Sequence, residues 1–202
     1  MLTEIRISLR PAITLLLLLA VVTGLAFPAL ITGVARVTMP TQANGTLIVD
    51  HGAIVGSELI AQGFAAPRYF HPRPSAAGKG YDASNSSATN LAPGSKDLRD
   101  AIAGRVADAR KANPSTLGMT GVSVPPDLVT TSASGLDPDL SPEAAFSQAA
   151  SVAKARGVDE ATVRALIDHS IAYPLLGLIG EPHVNVLLLN RQLDRIATIP
   201  QR

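Results

Sequence analysis

Residues 137–148 set oxygen ligands at alternate positions: Asp137, Asp139, Ser141 and Glu143. A calcium loop uses hard oxygens at that spacing, and then needs Gly at its sixth position and a bidentate Glu at its twelfth. Here those positions hold Pro142 and Gln148, and the carboxylates are better placed to meet the positive end of a helix starting at Pro142. Just upstream lie the hydroxyls Thr130, Thr131, Ser132 and Ser134. A serine nucleophile requires a histidine oriented by a carboxylate. His169 has Asp168 beside it, but adjacent helical side chains diverge by about 100°, and no G-x-S-x-G turn is present. His51, His71, His169 and His183 show no i, i+4 metal spacing. Gly78-Lys79-Gly80 lacks the upstream Gly and the following Ser or Thr of a phosphate-binding loop. There are no cysteines, so no thiolate site and no disulfide framework exist. The residues indicate no catalytic group, no cofactor and no metal.

What remains is a set of polar residues in proline-fixed or apolar surroundings: Arg73, Asp127, Ser134, Asp137, Gln148, Asn185 and Asn190. Each is expected either to contact a partner or to define the fold, by capping, turn formation or satisfying buried backbone groups.

The elements that position them centre on 124–157. Pro125, Pro126 and Pro138 stiffen a polar loop. Ser141 is placed to cap a helix, with Pro142 at its first position and Glu143 in its first turn. Phe146, Ala149, Ala150 and Ala153 recur at helical spacing, and Gly157 is placed to end the helix. A second helix is expected from a cap at Asp159, through Val163, Leu166, Ile167 and Ile171, to Tyr173-Pro174. Residues 97–111 make an amphipathic helix with a Leu98, Ala101, Ile102, Val106 and Ala109 stripe. Leu47–Val49 and Ala53–Val55 flank a Gly-containing turn and read as a hairpin. Ser57–Gly63 reads as a short helix and Val184–Leu189 as a buried strand, with a short helical tail after it. Tyr69–Leu91 is a long irregular stretch whose start, near Tyr69 and Phe70, is expected to be pinned to the domain.

The chain has 202 residues, only 16% of them charged, and a net charge of +1. No basic run exists, so nucleic-acid binding is not expected. Mean hydropathy is +0.26, apolar enough to direct attention to a membrane segment. Between Arg10 and Arg36 lie 25 uncharged residues; as a helix these extend roughly 37 Å, enough to cross a bilayer core. The run exceeds the usual length of a signal-peptide core, which favours an uncleaved anchor contacting membrane lipid. Arg6 and Arg10 precede it and only Arg36 follows closely, so the positive-inside rule puts the N-terminus in the cytoplasm. The expected organisation is a cytoplasmic N-terminus (1–10), a transmembrane helix (11–35), a juxtamembrane linker (36–46) and one extracytoplasmic α/β (α+β) domain with a small sheet (47–202).

The segment VPPDLVTTSASGLDPDLSPEAA with QAASVAKARG, together with YFHPRPSA (Tyr69–Ala76), Asn90-Leu91 and GEPHVNVLLLN (Gly180–Asn190), resembles the C subunits of Kdp potassium-transporting P-type ATPases. The segments lie in the family's order and span most of the region after the anchor. The resemblance implies a non-catalytic accessory subunit in the plasma membrane, partnered by a potassium-binding channel-like subunit and an ATP-hydrolysing P-type subunit. It further implies a role in assembly and in raising the catalytic subunit's affinity for ATP. No nucleotide motif is visible in this chain, so such an effect would act through the membrane subunits. The alternative is a membrane-anchored hydrolase or binding protein.

Overall fold

The computed structural model describes residues 2–119, 121–174 and 177–197. The chain divides into two compact units, Met1–Ile54 and Val55–Arg202.

The first unit is dominated by one apolar helical rod. Helix α1 (Leu2–Val21) runs into a π-helical turn (Val22–Ala26) and then α2 (Phe27–Thr38). Within it, Arg6–Thr38 is long and apolar enough to cross a membrane. Pro28 cannot donate to the carbonyl of the preceding turn, and its ring crowds that turn. The chain passes this point by widening: the Phe27 N–H reaches back to Val22 O, five residues earlier. Thr14 and Thr23 of the rod do not reach the Pro28 turn. The Thr23 hydroxyl donates to Leu19 O at 2.7 Å, and the Thr14 hydroxyl to Arg10 O at 2.8 Å. A short helix α3 (Pro40–Ala43) follows. Strands β1 (Leu47–Asp50) and β2 (Ala53–Ser57) then form a two-stranded sheet, turning at His51 and Gly52, both with positive φ.

In the second unit, α4 (Lys96–Ala112) is capped by Ser95, whose hydroxyl accepts from Leu98 N at 3.2 Å. Its apolar stripe is only half covered, and the helix buries no residue fully. A 3-10 turn (Pro126–Leu128) and β3 (Asp139–Leu140) lead into α5 (Pro142–Arg156). The cap expected at Ser141 is present: its Oγ accepts from Ala144 N at 3.2 Å. Gly157 ends α5 in the left-handed region at φ 68°, and Val158 N returns to Ala153 O at 3.1 Å, the backbone closure only glycine takes without strain. The buried face of α5 is Ala144, Ala145, Ala149, Val152 and Ala153, with Phe146 half-buried at its edge. Five small or β-branched residues on one face let α6 (Glu160–Ser170) approach closely, with Val163 and Ile167 buried against them.

Strands β4 (Ile171–Ala172) and β5 (His183–Asn185) complete a three-stranded antiparallel sheet of order β3-β5-β4, with Leu140 and Ile171 both opposite Val184. The last element is helix α7 (Val186–Ala197). Three expectations are corrected. Val184–Leu189 is not one strand, because Asn185 closes β5 and caps α7, its Oδ1 accepting from Leu188 N at 3.1 Å; Val186, Leu187, Leu189 and Leu193 then bury at helical spacing. Ser57–Gly63 is not helical: the Ser57 hydroxyl takes Leu59 N at 3.1 Å in a local turn, and Ala61 N pairs across to Leu136 O. Ile171 belongs to β4 rather than to α6, and Asp159 starts α6 without a side-chain cap.

Candidate functional site

Six of the seven polar residues fall into two groups, one holding Phe70 and His71 and one built around Arg73 and β3. Phe70 is fully buried, and so are Gln148 and Asn190, at 3% and 1% exposed. From α7, Asn190 accepts from Phe70 N at 2.8 Å and donates to Phe70 O at 3.0 Å. From α5, Gln148 accepts from His71 N at 2.9 Å and donates to His71 O at 3.1 Å. Two side-chain amides thus grip two consecutive residues of an irregular segment, each supplying one donor and one acceptor, as a strand's peptide groups do. Next to them Arg156, with a side chain 4% exposed, pairs with Asp194 at 2.9 Å and donates to Arg68 O at 2.6 Å. The Tyr69 hydroxyl donates to Asp194 at 3.0 Å, and its ring has the guanidiniums of Arg68 and Arg156 at 4.9 and 5.0 Å. The pinning expected at Tyr69 and Phe70 is therefore present. Arg156 and Asp194, which accomplish half of it, were not singled out in the sequence; a lone arginine in the last turn of a helix reads there as a dipole partner.

The second group lies around β3. Arg73 Nη1 donates to Asp137 Oδ2 at 2.9 Å, and Nη2 to Thr130 Oγ1 at 3.4 Å, while Arg73 Nε is buried without a hydrogen-bond partner among the described residues. Asp137 Oδ1 accepts from Asp139 N at 3.1 Å. Asp127 Oδ2 takes Ser141 N at 2.7 Å, fixing the residue that caps α5. Asn185 donates to Glu58 O at 2.8 Å and to Asp139 Oδ1 at 3.3 Å. Burial pushes the Asp139 carboxyl above the usual carboxylate range; a neighbouring His183, 4.0 Å away, pulls it down and Asp137 pushes it up again, while the Asn185 amide pulls it down.

Ser134 stands apart. Its Oγ accepts from Leu136 N at 3.1 Å and lies 3.4 Å from Ser132 Oγ, and its carbonyl receives Ser87 N and the Ser86 hydroxyl. His169 Nδ1 bonds Ala165 O of its own helix at 2.6 Å. A Ser75 hydroxyl organises the facing loop: it donates to Gly135 O at 2.5 Å and accepts from Ala77 N and Tyr81 N at 3.1 and 2.8 Å. The Tyr81 hydroxyl, raised in pKa by burial, closes the loop on Arg73 O at 2.8 Å. The described contacts of all seven candidates are to this chain's own backbone and side chains.

Fold and site together define a class: a chain with, among the described residues, one helix of membrane-crossing length and a small α/β region whose candidate polar residues hydrogen-bond within the chain. The particular family follows from comparison. Residues 9–195 match the family described as KdpC, the K+-transporting ATPase c chain. Proteins named potassium-transporting ATPase KdpC subunit from Caulobacter vibrioides and Rhodospirillum rubrum are similar to this chain. The first is 54% identical over 187 residues, covering 92% of each chain. The second is 51% identical over 187 residues, covering 93% of this chain and 95% of the relative. A Bradyrhizobium diazoefficiens protein of the same name is 48% identical over 202 residues, covering 94% and 98%. The chain belongs to the KdpC family.

Proposed function

We propose that this chain is the accessory subunit of an ATP-driven potassium-uptake assembly, non-catalytic in itself. Its partners are a potassium-binding channel-like subunit and an ATP-hydrolysing P-type subunit. The observation that carries the reading is family membership over residues 9–195, joined to relatives of nearly equal length that are named as subunits of a potassium-transporting ATPase. In this reading residues 11–35 cross the plasma membrane once, with 1–10 in the cytoplasm, 36–46 as a linker and 47–202 outside. Arg6 and Arg10 against a single nearby Arg36 support that orientation. The role is to hold the assembly together and to couple ATP hydrolysis to transport. An effect on the catalytic subunit's ATP affinity, from a domain outside the membrane, must arise from different contacts with two states of the pump. Arg73, Asp127, Ser134, Asp137, Gln148, Asn185 and Asn190 act by building the shape of that domain; their described hydrogen bonds within the chain support this over direct partner contact.

Affinity purification of the tagged chain from mild-detergent extracts tests the reading, alongside potassium uptake in a deletion strain. Co-purification of both membrane subunits and loss of uptake at low external potassium are expected. A stable chain recovered without them, in a strain whose uptake is undisturbed by the deletion, overturns it.

A further inference from the structure

Two cavities lie side by side along the last turns of α4, one of about 310 Å³ and one of about 210 Å³. They share His71, Ala112, Asn113 and Gln148 as walls. Gln148 is saturated by the backbone of His71, but the other polar walls are not. Asn113 is only 6% exposed. Its Nδ2 donates to Ala109 O at 3.2 Å, which fixes the amide's orientation and leaves Oδ1 an acceptor without a partner among the described residues. That oxygen is open to a ligand donor. His71 Nδ1 lies 2.6 Å from Phe64 O. A carbonyl only accepts, so Nδ1 holds the hydrogen, and Nε2 of the neutral ring is a second open acceptor.

The larger cavity adds charge. Arg105 and Asp108 stand three positions apart on α4 and both line it. They form no ion pair with each other among the described contacts; Arg105 gives one N–H to Val129 O at 3.0 Å, and Asp108 has no described partner. Pro72, Pro74 and Leu128 supply apolar wall. A carboxylate with two neutral acceptors suits an ammonium group, and a guanidinium with spare N–H groups suits a carboxylate. Apolar walls with a few convergent polar groups are the usual make-up of a small-molecule site.

We infer that this cleft binds a small free amino acid. Its ammonium is held by Asp108, Asn113 Oδ1 and His71 Nε2, its carboxylate by Arg105, and its short side chain lies against the prolines. The inference goes beyond the subunit role and does not depend on it.

The test is calorimetric titration of the full-length chain in detergent micelles with glycine, L-alanine and L-serine. Ethylammonium and propionate, each carrying one of the two charges, serve as controls. At least one amino acid is expected to saturate, more tightly than either control. Asp108→Asn, at an exposed position, is expected to leave the thermal midpoint unchanged and to weaken binding about tenfold. Ala112→Leu, which extends a side chain into the wall both cavities share, is expected to abolish it. Failure of every amino acid to saturate, binding of a single-charge control as tight as the amino acids, or an affinity unchanged in either variant overturns the inference.

Discussion

Asn190 and Gln148 hold the Phe70–His71 backbone with side-chain amides, so each substitution strips a donor and an acceptor from a buried peptide at once. Asn190→Ala is expected to cost about 3 kcal/mol, since Phe70 N–H and C=O both lose their partner in a place 1% exposed. The check is a lowered urea midpoint, followed through the fluorescence of Tyr69, Tyr81 and Tyr173, the only tyrosines in the chain. Asp139 behaves differently. Burial raises its folded pKa above the unfolded one, so the stability linked to its protonated form is full below the ordinary carboxylate value and is lost as pH rises through the folded value. Asp139→Asn keeps the oxygen that receives the Asn185 amide and removes that loss. The variant is expected to match the parent in acid and to exceed it in urea midpoint at neutral pH. A variant weaker than the parent at neutral pH would mean that the attraction of His183 outweighs burial. Sequence reading picked out Gln148 and Asn190 as polar residues in apolar settings, but their target could not be read, because Phe70 lies 120 positions from Asn190 and only the folded chain brings them together.

Helix starts were legible where their signals are local. Ser141, Pro142 and Glu143 act within one turn, and the first helical residue is where those three put it. Ser141→Ala is expected to cost about 1 kcal/mol, measurable as a drop in thermal midpoint. The two misread elements failed for different reasons. Val184–Leu189 is an apolar run too short to show its period, and the strand-to-helix change inside it depends on Asn185 serving both β5 and α7. Ser57–Ala61 is held by Leu136, far along the chain. Gly135, like Ala61, depends on distant partners. Its φ is 68°, and a Cβ there would stand 2.7 Å from Ala77 N and from Ser87 O. Gly135→Ala is expected to lose more than about 2 kcal/mol, because backbone strain adds to a clash with backbone on two sides; the thermal midpoint again reports it.

At the scale of the whole chain, the long uncharged run and its flanking arginines made the apolar helix plain, whereas the π turn within it was not readable. Proline predicts a disturbance, but whether a helix kinks, breaks or widens depends on how the neighbouring carbonyls find donors. The widening between Val22 and Ala26 has a consequence for helical phase. A single π turn absorbs about one extra residue, which shifts everything beyond it by about 100° of rotation. In an uninterrupted α-helix Thr14 and Gly33 would point about 100° apart; through the π turn they come into line along one side of the rod, a slim seam of the sort at which helices in lipid approach closely. Pro28→Ala, by letting the turn relax to ordinary α-helix, is expected to twist the C-terminal half of the rod out of alignment with the N-terminal half. Disulfide mapping with cysteines placed at 14 and 33 against a neighbouring helix would then register one of them losing its partner, although the length of the apolar run had not changed.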